Sequence, residues 1–385
     1  MVPLFLGLTL LRHQVQPPRL RTILPNAATI IVEPMSNARV ISVQLWASAK
    51  GVEERPETHG LRHLMEHIIA LGPNRDLDRR LEMQGGVIRA RTYRDATQIE
   101  VDVPPGRLDL ALNAISEMLQ PINVTQDQIN TETKIIDQEL GLLSDDALLS
   151  AAAWQGAYGD DALDPFGDSE VMKNATPMDL EAIHARQFAA HNLSLIIVGP
   201  VGLDDATGKA RPLLATLQKL DPYPLRQRPE GHPGQATTPG YGEARAATVP
   251  GFDSKRTVSA LAAALAMASR LDDCYVTYTP TTQNGLVIFG RTDSNRGLGN
   301  YVDSLDTGAI AALFEPGKAL ARGWVSRQLR TPQSVGYIRG LISCQDAVDR
   351  PESMLDTINS MTYDDFLKGV KAFRKGAGVE VTGNQ

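Results

Sequence analysis

Cysteine is nearly absent from this chain, with only Cys274 and Cys344 in 385 residues. Two cysteines build no disulfide framework, and neither has metal-ligand spacing, so the fold must rest on packed cores. Positive charge is also in deficit. Lys and Arg number 38 against 45 Asp and Glu, and the net charge of -7 argues against nucleic acid as a partner. No apolar run is long enough to span a membrane. The apolar start, Met1 to Leu11, is short and lacks both a basic flank and a small-residue cleavage site. It reads as the tail or first strand of a cytoplasmic protein; a periplasmic one would follow if it were a trimmed signal. What the chain does have is size: 385 residues exceed one compact core, and 42% hydrophobic content can fill two.

The chemistry is concentrated in His63-Leu64-Met65-Glu66-His67. Leu61, Leu64, Met65, Ile68 and Leu71 recur at helical spacing and Gly72-Pro73 stops the run, so the segment is a helix. Histidines four apart then sit one above the other and can reach a single ion, with Glu66 placed to take a proton from an activated water. This H-x-x-E-H order is a known zinc-peptidase signature. A catalytic zinc takes three protein ligands. The third is sought in a second helix over Thr125 to Leu143, opened by a Thr125/Gln128 capping box. There Glu132 and Glu139, two turns apart, project from one side among Ile129, Ile135, Ile136 and Leu140. His59 reads as a loop or cap residue, and His184 and His191 as structural.

With these motifs the chain resembles the M16, or pitrilysin-type, metallopeptidases, and within them the half-length bacterial members related to mitochondrial processing peptidase. Glu132-Thr-Lys-Ile-Ile-Asp-Gln-Glu139 fits the family's second motif; Leu81 to Gly86, Arg91-Thr92, Asp95-Ala96-Thr97 and His191 to Gly199 fit its surroundings. The resemblance implies a zinc endopeptidase with His63, His67 and Glu139 as ligands, Glu66 as general base, and Glu132 orienting a ligand histidine. It implies a peptide substrate added as a strand near Gly85 to Thr92, where Arg89-Ala90 stands in place of the family's Asn-Ala and puts side-chain contact in doubt. A non-catalytic subunit for assembly or peptide binding, and a purely structural zinc domain, are the rivals; neither needs Glu66.

The expected fold is α+β: two related M16-type domains in tandem, each a mostly antiparallel sheet with helices on it, the second shortened. The first covers residues 1–220 and the second 252–385, with a Pro/Gly-rich linker over 221–251. Alternation at Ile41, Val43, Leu45 and Ala47, and at Ile99, Val101 and Val103, predicts strands covered by helices on one face only. A repeat supports duplication. Thr176 and Thr362 each cap a helix that precedes a short strand closing on Gly199 or Gly383, about 185 residues apart. The family also implies an arginine and a tyrosine that reach the active site from the other half of a two-chain chamber. Arg330 and Tyr337 have the letters and spacing, yet the offset sets Tyr337 opposite Ala151. A deletion between Arg270 and Tyr275 would instead have removed the pair. Both options stay open, acting in the site or lying on an exposed helix; the deletion favours a heterodimeric partner over a second copy.

Overall fold

The computed structural model describes residues 19–224, 226–292, 297–345 and 350–383. Met1–Leu11, expected to be a tail or first strand, lies outside the described residues. The first half runs β1 (Leu20–Ile23), β2 (Thr29–Pro34), β3 (Ile41–Ser48), α1 (Leu61–Ala70), α2 (Leu77–Glu82), β4 (Val87–Thr92) and β5 (Ala96–Val103). It continues through α3 (Leu108–Met118), α4 (Gln126–Leu140), α5 (Asp145–Tyr158), α6 (Ser169–Lys173), α7 (Pro177–Gln187), β6 (Leu193–Gly199) and α8 (Leu203–Ala215). The second half opens with β7 (Gly234–Thr238), β8 (Glu243–Val249), α9 (Lys255–Ala268), β9 (Cys274–Tyr278) and β10 (Gly285–Arg291). It closes with α10 (Leu298–Ser304), α11 (Thr307–Gln328), α12 (Pro332–Ser343), α13 (Ser353–Ser360), α14 (Tyr363–Lys371) and β11 (Val379–Gly383).

The strands form two sheets, ordered β1-β2-β6-β3-β5-β4 and β7-β11-β8-β10-β9. In the first, β6 lies parallel to β2 and antiparallel to β3; in the second, β11 lies parallel to β7 and antiparallel to β8. The two closing strands thus hold the same place, and the helices before them, α7 and α14, each begin with a complete threonine capping box. The 221–251 linker needs correction: β7 and β8 lie within it, β7 at the sheet edge beside β11, and β8, with its small alanines, between β11 and β10. The remainder is fastened as well, for Arg228 is buried, bonds Asp95 and lies over the Trp154 ring. The segment missing near Arg270 is the counterpart of α2: no helix separates α9 from β9, which occupies the place of β4.

Coverage on one face only is also overturned. Val43, Leu45 and Ala47 of β3 join Ile99 and Val101 of β5 in the core beneath α1 and α3. The alternate residues Gln44, Trp46, Gln98 and Glu100 are buried too, because α12 crosses from the second half and lies on β3 and β6. Polar alternation that suggested water was an interface rich in hydrogen bonds: Gln44 donates to Glu100 and to the Gln333 carbonyl, and Gln333 donates to Asp102. In return, α5 of the first half packs on β7, β8, β10 and β11.

This exchange demands small residues. A Cβ on Gly340 would stand 2.0 Å from Trp46 Cδ1, and one on Gly336 2.5 Å from the Gln44 amide. Since Trp46 is itself fully buried, Gly340→Ala should destabilise the protein by about 1–3 kcal/mol through overpacking. Gly308→Ala, at an exposed position of α11, is the control and should cost nothing. Chemical denaturation measures both, and equal effects would remove the close seating of α12 as a source of stability.

Candidate metal centre and substrate edge

Helix α1 carries the motif, and its seat is set by Arg62, a buried charge one residue before His63. Arg62 Nε donates to Glu54 at 3.1 Å, and Nη2 donates to the carbonyls of Tyr93 and Arg94 at 2.8 and 3.1 Å. Glu54 also accepts from the Gly60 amide at the helix start. These bonds tie α1 to the end of β4, so that Thr92 Oγ1 donates to Glu66 Oε2 at 3.3 Å. The sequence reading missed Arg62, although a charge on an apolar helix face is a signal of buried pairing.

Helix α4 begins at the Thr125/Gln128 capping box and packs on α1. Ile129, Glu132 and Ile136 are buried, whereas the Glu139 side chain is 51% exposed, so the two carboxylates share one side at different depths. His67 lies between them, with Nδ1 3.4 Å from Glu132 Oε2 and Nε2 3.5 Å from Glu139 Oε2. His63 donates through Nδ1 to the Phe166 carbonyl at 2.9 Å, leaving Nε2 3.6 Å from the same Glu139 oxygen. Phe166 sits in a loop held by His59, whose Nε2 lies 3.0 Å from the Asp164 carbonyl. His59 is therefore a loop residue, as expected. No residue-type signal could have announced the Phe166 carbonyl, since every residue has one.

Ligand atoms of His63, His67 and Glu139 all lie within 4.8 Å of one another. Zinc bonds near 2.0–2.1 Å in a tetrahedron place ligand atoms roughly 3.3 Å apart, so this donor set fits the ion with little movement. Both Nδ1 atoms are engaged elsewhere, which directs both Nε2 atoms inward. Burial holds His63 below the usual histidine range and favours the neutral, ligating ring. Burial also acts on His67, but its hydrogen bond to Glu132 and the charges of Glu66 and Glu139 outweigh it, raising His67. That surplus of negative charge suits a cation. Glu66, almost wholly buried, is pushed up to about 7 by desolvation, where a carboxyl can both take and return a proton.

The insulinase, or peptidase family M16, model matches residues 29–165. That segment belongs to peptidase family M16. A probable mitochondrial-processing peptidase β subunit of Arabidopsis thaliana is 26% identical over 236 residues, 58% of this chain and 44% of that protein. Other matched relatives carry the name zinc protease. The chain spans about half the length of the curated relatives it matches. A Helicobacter pylori protease superimposes with TM-score 0.78 at 17% identity, over 95% of this chain and 100% of that one. A Pseudomonas fluorescens structure described as a peptidase M16 inactive domain gives 0.77 at 15% identity, over 96% and 98%. These likenesses establish the α+β fold of an M16 half.

Other sequence candidates fall away from the centre. Arg89 bonds Glu100 and Asp102 at 2.8 and 2.9 Å, and Ala90 packs on the core, so neither side chain is turned to the open edge of β4. Arg330 is exposed. Tyr337 is half-buried on α12 against Trp46 and Tyr93, on the sheet face opposite α1, so the exposed-helix alternative does not hold for it. His184 is buried against Phe188, and His191 lies in a short turn before β6. Among the described residues no helix is long and apolar enough to cross a membrane.

The Arg62–Glu54 pair yields a prediction. Side-chain exposures of 2% and 5% mean that Arg62→Ala strands a carboxylate away from water, at a cost of about 3–5 kcal/mol. Arg62→Lys, which keeps the charge, should lose less; denaturant midpoints of the two variants check the order.

Proposed function

We propose that this chain is a zinc-dependent endopeptidase acting on peptides or unfolded segments. The observation that carries it is the convergence of His63, His67 and Glu139 beside a buried Glu66 whose carboxyl is held near neutrality. Bound there, zinc would supply a Lewis acid that polarises the scissile carbonyl and acidifies a water. Glu66 is then the general base and later the proton donor, with the Thr92 hydroxyl fixing its orientation. Glu132 keeps its place as the partner of His67 Nδ1, which makes it a positioning group and not a reacting one.

The substrate would add as a strand along β4, which has only β5 beside it among the described residues. With Arg89 and Ala90 turned elsewhere, backbone pairing along Val87–Thr92 supplies the affinity. A second M16-type chain completes the chamber in this reading and would supply the arginine and tyrosine, since Tyr337 is packed against Trp46 and Tyr93 of its own chain. The shortening near Arg270 falls where the family's arginine and tyrosine were expected, which favours a different chain over a second copy, with the homodimer as the alternative.

A second reading has an observation of its own, since one structural neighbour is described as inactive. In it the chain serves assembly or peptide binding without hydrolysis. An intact base beside the ligands favours the catalytic reading, because neither task needs one.

His67→Ala or Glu139→Ala should weaken zinc binding by orders of magnitude, measured by chelator competition. Glu66→Gln should keep zinc and fold yet lose about 10²–10⁴-fold in kcat on an unstructured peptide. Undiminished turnover by that variant would remove Glu66 from the mechanism.

A further inference from the structure

Arg75 belongs to none of the motifs, yet the chain holds it in an unfavourable conformation next to the metal centre. After α1, Gly72 N donates to the Ile69 carbonyl at 3.0 Å and Arg75 N donates to the Gly72 carbonyl at 3.1 Å, closing a tight turn back over the helix. Arg75 has φ 55°, in the left-handed region that disfavours side chains; among the described residues only Ala27 and Asp273 share it without being glycine. A glycine would sit there without strain. What arginine contributes is its side chain: Nη2 donates to Glu132 Oε1 at 2.5 Å, while the other oxygen of Glu132 faces His67 Nδ1 at 3.4 Å.

We propose that Arg75 is a positioning residue for the metal site, clamping one oxygen of Glu132 so that the other stays on His67 and keeps its Nε2 aimed at Glu139 and the ion. The proposal rests on the zinc reading above. Glu132 is 2% exposed, so water cannot replace the clamp, and an unanchored carboxylate is free to turn from the ring. An opposing effect exists, because the guanidinium also repels a bound cation. Its side chain is 35% exposed, however, and solvent screens that repulsion to about a fivefold effect at most. Loss of a group that orients a ligand weakens metal binding roughly 10–100-fold, so orientation dominates.

The test is zinc affinity of the full chain, read by competition with a chromophoric chelator and independent of turnover. Arg75→Ala and Arg75→Gly should both bind zinc about 10–100-fold more weakly than the parent. Arg75→Gly strands Glu132 as Arg75→Ala does but relieves the backbone strain, so it should unfold less readily than Arg75→Ala while binding zinc as weakly, which separates lost affinity from lost fold. Arg75→Lys, which keeps the charge without the planar fork, should fall between. If Arg75 acts through Glu132, the double variant with Glu132→Gln should bind no more weakly than Glu132→Gln alone. Parent-like or tighter binding by Arg75→Ala and Arg75→Gly, or additive losses in the double variant, would overturn the proposal. Absence of zinc binding by the parent chain would overturn the metal reading itself, and the proposal with it.

Discussion

The candidate site depends on one buried guanidinium. Arg62 spans the gap between α1 and the end of β4, and Glu54 neutralises it while also accepting from the first amide of the helix. Everything chemically useful lies within two turns of that anchor: Glu66 against Thr92, the two histidines above α4, and the open strand edge. A buried pair of this kind adds little net stability over an apolar replacement, but its hydrogen bonds join α1 to the end of β4. Catalysis by a positioned base requires such fixed geometry, because misplacement of the reacting groups by about 1 Å can cost roughly a hundredfold.

The two halves hold each other by exchange. Helices α5 and α12 each leave their own half and cover the far face of the other sheet. On the first sheet that face is mixed: Ile31, Trp46, Ile196 and Val198 pack with Val335 and Leu341, while Gln44, Gln98, Glu100 and Asp102 form hydrogen bonds that reach α12. On the second it is apolar, with Leu149, Ala153 and Trp154 of α5 against Ala244, Ile288 and Val379. The polar part of the first face reaches β4 through Arg89, which bonds Glu100 and Asp102 and so ties the edge strand to β5.

Much of the site was legible because its logic is local. Two histidines a helical turn apart, and two glutamates two turns apart behind a threonine cap, fix azimuths without knowledge of the fold. The same holds for the capped helices before β6 and β11, whose sheet positions bear out the duplication. Arg62 was legible in principle, as a charge at an apolar position. Arg75, the Phe166 carbonyl and Thr92 were not, since a turn, a peptide oxygen and a strand-end hydroxyl gain roles only from neighbours distant in sequence.

By itself, then, the sequence determined which residues could meet an ion, the helices carrying them, and the pairing of two related halves. Tertiary structure alone decided the depth of Glu132 and Glu139, the direction of each imidazole, and the burial of the polar face of β3 and β5 under α12. The reason is physical. Periodicity records which residues share a face, but whether a polar face meets water or a helix from the other half depends on contacts nearly three hundred residues apart, such as Gln44 with Gln333.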